Sequence, residues 1–239
     1  MIYAFYGDIH AGLNDFEASI RGNEEADAHI QVGDFGFGFF NYRQTGHVLP
    51  RICEEYPSMR FIRGNHDDPQ AAAAHPAFIK DGHCEVVDGV KIMYMGGAWS
   101  IDHAYRTPGV SWWHDEELSS QALNDVINTY EEFKPDIMVT HDCPQFFSTK
   151  YMIQSGLCLW GGKPVIHKTR TAQSLETMYE IHQPRLWLFG HWHNNLVTDV
   201  GNTTFACIGE HAAVNVDLTK LLNDDFVLPY PQFKWKETL

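Results

Sequence analysis

The sequence predicts an α/β fold, and a sandwich of two mixed β-sheets with helices outside satisfies the order of its elements. Strand-like and helix-like segments alternate through position 75 in the order β-α-β-α-β. A hairpin pattern follows at 84–95, and two or three short strands are expected within 195–217. Because 239 residues with 44% apolar content can bury one sizeable core, we expect a single domain over residues 1–239.

The strands are expected where apolar runs give way to loops. Five such runs occupy positions 2–7, 29–33, 59–64, 136–140 and 185–190. The hairpin pairs 84–87 with 91–95 through Asp88-Gly89, a dipeptide that is favoured in tight primed turns. A further turn is expected at residues 201–202.

The helices are expected between these strands and after the hairpin. Their predicted ranges are 13–21, 48–56, a short segment after Pro69, 115–133 and 164–182. The helix over 115–133 stops before Pro135 because proline cannot continue a helix. From about 220 to 239 the chain is expected to form a packed or partly frayed arm.

Residues that commonly bind metals follow each of the five apolar runs. They are Asp8 and His10, Asp34, Asn65 with His66, His141, and His191 with His193. Ligands in open α/β sheets collect at the carboxyl ends of strands. We therefore expect these side chains to enclose one site at a shared edge.

The chemistry of this set indicates a metal centre. Carboxylate, imidazole and amide oxygen suit Mn²⁺, Fe or Zn²⁺ better than the hard ions Mg²⁺ and Ca²⁺. The five cysteines contain no Cys-x-x-Cys pair, so a structural zinc ribbon is not expected. We expect two divalent ions, most readily Mn²⁺, with Fe, Zn²⁺ or Ni²⁺ as alternatives.

The spacing suggests how two ions would be held. Asp8 and His10 lie two residues apart, so at an extended strand end both side chains point to one side. Asp34 is the natural bridge, because a divalent pair needs an anion between its members. Two bridged ions about 3.5–4 Å apart clamp the attacking and leaving oxygens of an in-line displacement, so phosphoryl transfer is the chemistry that fits.

Charge narrows the class of substrate. Two divalent ions with Asp8, Asp34 and a bridging hydroxide would leave a centre of about +1, which attracts a phosphate anion. The whole chain carries a net charge of −14 and shows no basic patch, so duplex nucleic acid is not an expected partner.

The motifs resemble those of the calcineurin-like metallophosphoesterases, and the stretch 96–102 with Arg106 and residues 111–113 resembles a variant seen in bacterial and phage-borne members. The five matching segments are Gly7-Asp-Ile-His10, Gly33-Asp-Phe-Gly36, Gly64-Asn-His-Asp67, Thr140-His-Asp142 and Gly190-His-Trp-His193. The resemblance implies a four-layer α/β/β/α fold. It also implies a dinuclear phosphatase or phosphodiesterase in which a bridging hydroxide attacks phosphorus.

The resemblance implies a role for each motif residue. Asp8, His10 and His193 would hold the first metal, and Asp34 would bridge. The second metal would be held by Asn65, His141 and His191. His66 would be the general acid, and its neighbour Asp67 would support it.

One departure from the family concerns phosphate binding. The protein serine/threonine phosphatases carry an Asp-Arg pair shortly after the second motif, and here Asp34 is followed by Phe-Gly-Phe-Gly. This argues against a eukaryotic-type protein phosphatase. Arg63, Arg43 and Arg106 could substitute, and we take Arg106 as the substrate-binding residue.

Two other functions were weighed. Some proteins keep this fold as a scaffold for partners, but such members usually lose metal ligands, whereas this chain retains all of them. A nuclease of the recombination-repair type would need a positive groove, which the acidic balance disfavours.

The expected substrate is a small phosphoester or a phosphoprotein. With no apolar run long enough to span a membrane and no room for a signal peptide before Ile2, the protein is expected to be cytoplasmic.

Overall fold

Strands and helices alternate in the described part of the chain, as the sequence predicts. The computed structural model describes residues 1–38, 48–152, 159–160, 163–164, 168–223 and 226–231. The strands are β1 (Ile2–Tyr6), β2 (Ala28–Gln31), β3 (Met59–Phe61), β4 (Cys84–Val87), β5 (Val90–Met95), β6 (Ile137–Thr140), β7 (Leu159–Trp160), β8 (Lys163–Pro164), β9 (Leu186–Phe189), β10 (Leu196–Val200), β11 (Thr203–Cys207) and β12 (Ala213–Asp217). The helices are α1 (Leu13–Arg21), α2 (Val48–Glu55), α3 (Pro69–Ala73), α4 (Ser120–Phe133), α5 (Gln145–Phe147), α6 (Arg170–Ile181) and α7 (Leu218–Leu221).

The strands form two mixed sheets and a short ribbon of β7 and β8. The first sheet has the order β12-β1-β2-β3, with β12 antiparallel to β1 and the other pairs parallel. The second has the order β10-β11-β9-β6-β5-β4, with its four central strands parallel and an antiparallel strand at each edge. The predicted arrangement of two mixed sheets is therefore confirmed.

Three apolar clusters hold the layers together. The central cluster joins Phe5 of the first sheet to Val139 of the second, so the sheets bury one face each against the other. Because side chains alternate along a strand, the neighbouring Tyr6 points the other way and packs with α1 and α2. On the far side, Met138 and Trp187 of the second sheet pack with α4 and α6. Helices thus cover both outer faces.

The predicted boundaries hold for the early helices and the hairpin but were wrong at two helix starts. Helix α4 begins at Ser120 rather than 115, because the Ser119 side chain accepts a hydrogen bond from the Ala122 amide and caps the helix there. Helix α6 begins at Arg170 rather than 164, where Thr169 is the cap. Pro164, at which the helix was predicted to begin, lies in β8 instead.

Two other predictions concern residues that lie outside the described part of the chain. Of the C-terminal arm, 232–239 lie outside it, as does Arg43. No helix in the described ranges is long and apolar enough to cross a membrane.

Candidate metal centre

The seven predicted metal ligands converge on one edge of the sandwich. Asp8, Asp34 and Asn65 follow β1, β2 and β3 of the first sheet, and His141 and His191 follow β6 and β9 of the second. Each loop therefore begins where a parallel strand stops, and the side chains meet across the gap between the sheets. We divide the cluster into an outer half, formed by Asp8, His10 and His193, and an inner half, formed by Asn65, His141 and His191.

The outer half brings oxygen and nitrogen atoms of Asp8, His10 and His193 close together. The Nε2 atoms of His10 and His193 lie 3.0 Å apart. Asp8 Oδ1 accepts a hydrogen bond from the His191 amide, whereas Asp8 Oδ2 is buried and forms no hydrogen bond with the described residues, although His193 Nε2 lies 3.0 Å away. Lone pairs that face a common point in this way fit a cation.

In the inner half, Asn65 and His141 are buried and His191 is partly exposed. His141 is fully buried, and its Nδ1 lies 2.9 Å from the Val32 carbonyl oxygen, to which it donates. Its Nε2 points toward the inner half and lies 3.1 Å from Asn65 Oδ1. His191 Nδ1 approaches the same amide oxygen at 2.9 Å. Two imidazole nitrogens and one amide oxygen thus share a small space.

Asp34 stands between the two halves. Its Oδ1 lies 3.4 Å from His141 Nε2 and accepts a hydrogen bond from the His66 amide at 2.8 Å. Its Oδ2 lies 3.8 Å from His10 Nε2. The carboxylate therefore presents one oxygen to each half, which is the geometry that a bridging ligand needs. Asp8, His10, Asp34 and His193 alone place four ligand atoms within 4.8 Å of one another.

Several of these residues adopt backbone conformations that L-amino acids rarely use. The φ angles of His10, Asp34, His191 and His193 are 43°, 55°, 65° and 49°. Such conformations cost energy and concentrate at functional sites, where the surrounding structure holds them. Close packing accompanies them: a Cβ on Gly64 would lie 2.1 Å from Asp34 Oδ1. Glycine is therefore required between β3 and Asn65.

Asp34 interacts electrostatically with histidines of both halves. Burial alone would raise the pKa of this carboxyl, but His141 and His66 hold it well below its usual range. Burial would lower the pKa of His141, but the Asp34 carboxylate raises it to about 10. In the outer half, close contact with Asp8 raises the pKa of His193. With no metal bound, the His141 and His193 imidazoles therefore pair with the Asp34 and Asp8 carboxylates. Metal cations would occupy the positions of the protons in these pairs.

His66 lies beside the cluster with Arg106. Its Nε2 lies 4.0 Å from Asp34 Oδ2, and its ring centroid lies 5.0 Å from that of His10. The Arg106 guanidinium lies 2.9 Å from His66 Nδ1 and 2.5 Å from Nε2, and its Nε pairs with Asp102 at 2.7 Å. Burial lowers the pKa of His66 to about 4, so the imidazole is neutral near pH 7. No pattern in the sequence predicted that Arg106 and His66 would be in contact.

The Asp67 carboxylate is bonded to the backbone of two neighbouring loops, and its support of His66 stays a prediction. Its carboxylate accepts hydrogen bonds from the backbone amides of Phe35, Gly36 and Phe37, and from that of Gly64. It thereby ties the loop after Asp34 to the loop before Asn65. The geometry is that of a clamp on the backbone rather than of a group that faces a substrate.

Two further residues near the site, Ser100 and Glu116, carried no clear signal in the sequence. Asn65 Nδ2 donates to Ser100 Oγ at 3.0 Å, and Ser100 in turn contacts the buried Glu116. Arg63, which was considered for phosphate binding, is buried and pairs with Asp81 at 3.1 Å. Its guanidinium also donates to the carbonyl oxygens of residues 115 and 116, so it holds the segment before α4.

Comparison with known proteins identifies the relatives of this arrangement. A model of the calcineurin-like phosphoesterase family matches residues 1–195. No curated protein sequence matches the chain significantly.

Solved structures share the fold at low sequence identity. A dimetal phosphatase from Danio rerio has a TM-score of 0.56 at 11% identity, over 97% of this chain and 96% of that one. A candidate 5'-nucleotidase from Staphylococcus aureus has a TM-score of 0.55 at 11% identity, over 96% of this chain and 52% of that one, so the chain spans about half its length. GAP50 of Plasmodium, described as the anchor in the inner membrane complex, has a TM-score of 0.50 at 12% identity, over 90% and 80%.

Proposed function

Because the chain belongs to the calcineurin-like phosphoesterase family, we propose that it hydrolyses phosphoesters at a dinuclear metal centre in the Asp/His cluster. One observation carries the proposal. Seven side chains with oxygen or nitrogen ligand atoms come together from five loops, and one of them, Asp34, offers one carboxylate oxygen to each half. A set of this composition favours Mn²⁺, with Fe, Zn²⁺ and Ni²⁺ as alternatives.

Each half would hold one cation. Asp8, His10 and His193 would bind the outer ion, Asn65, His141 and His191 the inner ion, and Asp34 both. When bound, the two cations would supply Lewis acidity toward the phosphoryl oxygens and a hydroxide from a shared water as the nucleophile. The hydrogen bond from His141 Nδ1 to the Val32 carbonyl oxygen would hold this ligand in a fixed orientation.

His66 and Arg106 would act on the substrate. His66 lies at the solvent side of Asp34 with 21% of its side chain exposed, so a leaving oxygen can approach its ring. A phosphate anion in this place attracts the Arg106 guanidinium away from His66 and favours the protonated imidazole. His66 would then donate its proton to the leaving oxygen. Asp102 would keep Arg106 oriented through their ion pair.

The substrate is proposed to be a small phosphoester or a phosphoprotein rather than duplex nucleic acid. The net charge of −14 repels a long polyanion, whereas a single phosphate meets the local positive charge of the loaded centre. A scaffolding role has no need for complete ligand sets in both halves. The presence of His66 and Arg106 beside the ligands also favours catalysis over scaffolding.

The test combines activity with metal content. Purified protein is loaded with Mn²⁺, Ni²⁺, Zn²⁺ or Mg²⁺ and assayed with 4-nitrophenyl phosphate, bis(4-nitrophenyl) phosphate, nucleotides and a phosphopeptide. We expect metal-dependent turnover and about two ions per chain. Asp34→Asn should lose metal, and His66→Ala should keep metal but lose about 10²–10⁴-fold in turnover. Full Mn²⁺ occupancy in Asp34→Asn would refute the bridge, and native turnover in His66→Ala would refute the acid.

A further inference from the structure

The Asn65 side chain is held on the side away from the inner half by two buried residues, Ser100 and Glu116. Asn65 Oδ1 faces His141 and His191 in the inner half. Its Nδ2 points the opposite way and donates to Ser100 Oγ at 3.0 Å. Ser100 Oγ then donates to Glu116 Oε2 at 2.5 Å. A chain of hydrogen bonds therefore runs from Glu116 to the proposed ligand.

Both carboxylate oxygens of Glu116 accept hydrogen bonds from Ser100. Oε1 accepts from the Ser100 amide at 2.9 Å, while Oε2 accepts from the hydroxyl, and Glu116 is only 2% exposed. Among the described residues, no ion pair involves this carboxylate, although burial raises its pKa and disfavours its charged form. A buried acid without a cation is costly and calls for a specific reason.

The direction of the hydrogen bonds between Glu116, Ser100 and Asn65 supplies that reason. A carboxylate can only accept hydrogen bonds, so the Ser100 hydroxyl must donate to Glu116. The hydroxyl oxygen is then left as an acceptor and can be satisfied only by the NH₂ end of the Asn65 amide. The amide oxygen is consequently turned toward the inner half, where a cation needs an oxygen.

We propose that Glu116 and Ser100 are positioning residues that fix the orientation of the Asn65 amide and thereby the affinity of the inner half for its metal ion. This inference rests on the proposed function. Neither residue touches the substrate or the cation, and both act through Asn65. Hydrogen bonds that orient metal ligands in this way typically contribute 10–100-fold to metal affinity.

Glu116→Gln is the decisive variant because it keeps the size of the side chain and reverses one bond. The new NH₂ group can donate to Ser100 Oγ, which frees the Ser100 hydroxyl to donate to Asn65 Oδ1 and so to reverse the amide. We expect Mn²⁺ titration by calorimetry to show one site near wild-type affinity and one site weakened by about 10–100-fold. Ser100→Ala should weaken the same site.

Glu117→Gln is the matched control. Glu117 is the next residue, is also buried, and accepts a hydrogen bond from the Thr171 amide on α6 instead of contacting Asn65. This variant should retain two Mn²⁺ sites of wild-type affinity. In an Asn65→Ala background, Glu116→Gln should have no further effect on Mn²⁺ binding, because its route of action is gone.

The outcomes separate this inference from the proposed function. Wild-type protein that binds no divalent cation would overturn both. Two wild-type sites with equal affinities in Glu116→Gln would overturn only the positioning role. Equal weakening of both sites, or an effect that persists in the Asn65→Ala background, would also overturn it, because either result would indicate a general loss of structure.

Discussion

The two halves of the cluster differ in how they are supported. The inner half contains His141, which is fully buried and bonded to a backbone carbonyl, and Asn65, which is held by Ser100. In the outer half, the side chains of His10 and His193 are 17% and 46% exposed. Two of the three inner ligands, Asn65 and His141, are therefore part of the core, whereas two of the three outer ligands, His10 and His193, lie near its surface and only Asp8 is buried. We expect the inner ion to be bound more tightly, because its ligands are held in place before it arrives.

The largest effect should come from a change that disturbs both halves together. In Gly64→Ala, the new Cβ would lie 2.1 Å from Asp34 Oδ1 and 2.7 Å from His141 Nε2. The Asp34 backbone is equally close, so the loops must move apart. We expect loss of both Mn²⁺ ions and of metal-dependent turnover, measured by elemental analysis and phosphodiester hydrolysis. Gly89→Ala is the control, because its Cβ would meet no atom within 4 Å, although its φ of 82° adds local strain. Two bound ions in Gly64→Ala would contradict the close packing around Asp34.

His141→Ala should damage the inner half and the fold together. It removes a buried imidazole and leaves the Val32 carbonyl oxygen without its donor. The free energy of unfolding of the metal-free protein should fall by about 2–4 kcal/mol. Urea unfolding followed by circular dichroism measures this, and Mn²⁺ titration should show the tighter site missing. An unchanged unfolding midpoint would mean that the inner half is not part of the core.

His193→Ala is the counterpart in the outer half. Because its side chain is 46% exposed, its removal should change the free energy of unfolding by no more than about 1 kcal/mol. Mn²⁺ stoichiometry should drop from two ions to one, with the tighter site retained. If this variant unfolds as readily as His141→Ala, the contrast between the halves is wrong.

The smallest effect should come from a partly buried charge pair outside both halves. Arg60 of β3 donates to Glu85 of β4 at 2.8 and 3.0 Å, and Tyr94 donates to the same carboxylate at 2.6 Å. Burial alone would raise the pKa of Glu85, but the bonds from Arg60 and Tyr94 lower it below its usual value of 4.5. A depressed carboxyl pKa stabilises the fold above the pKa of the unfolded chain, and this stabilisation disappears as the pH falls through the folded-state pKa.

Glu85→Gln should therefore cost about 1 kcal/mol of unfolding free energy at pH 7 and leave Mn²⁺ binding unchanged. The difference between the wild type and the variant should shrink as the pH is lowered below 4.5. Urea unfolding at several pH values measures it. A difference that grows toward acid would have the wrong sign for this pair.

Local signals in the sequence were sufficient for much of the fold. The Asp88-Gly89 turn was predictable because both residues must adopt positive φ, which the structure shows at 51° and 82°. Pairing between distant segments was not predictable in the same way. Strand β12 joins the first sheet beside β1, and no local pattern indicates this partner. The start of α6 was missed because Thr169 is an ordinary cap that apolar periodicity does not reveal.

In the site, too, local sequence signals predicted some residues and missed others. Each proposed metal ligand follows a strand-like run, so its position at the sheet edge could be predicted from the sequence. The residues that hold or accompany the ligands come from loops whose paths depend on the finished fold. Ser100 lies 35 residues from Asn65, and Arg106 lies 40 residues from His66. Asp67 was placed beside His66 by sequence, but its carboxylate is bonded to the loop that follows Asp34.

Anomalous diffraction from crystals grown with Mn²⁺ tests the central claim most directly. The account predicts two peaks about 3.5–4 Å apart, one between Asp8, His10 and His193 and the other between Asn65, His141 and His191, with one Asp34 oxygen on each. A single peak, or peaks that do not contact Asp34, would contradict the dinuclear centre on which the proposed hydrolysis depends.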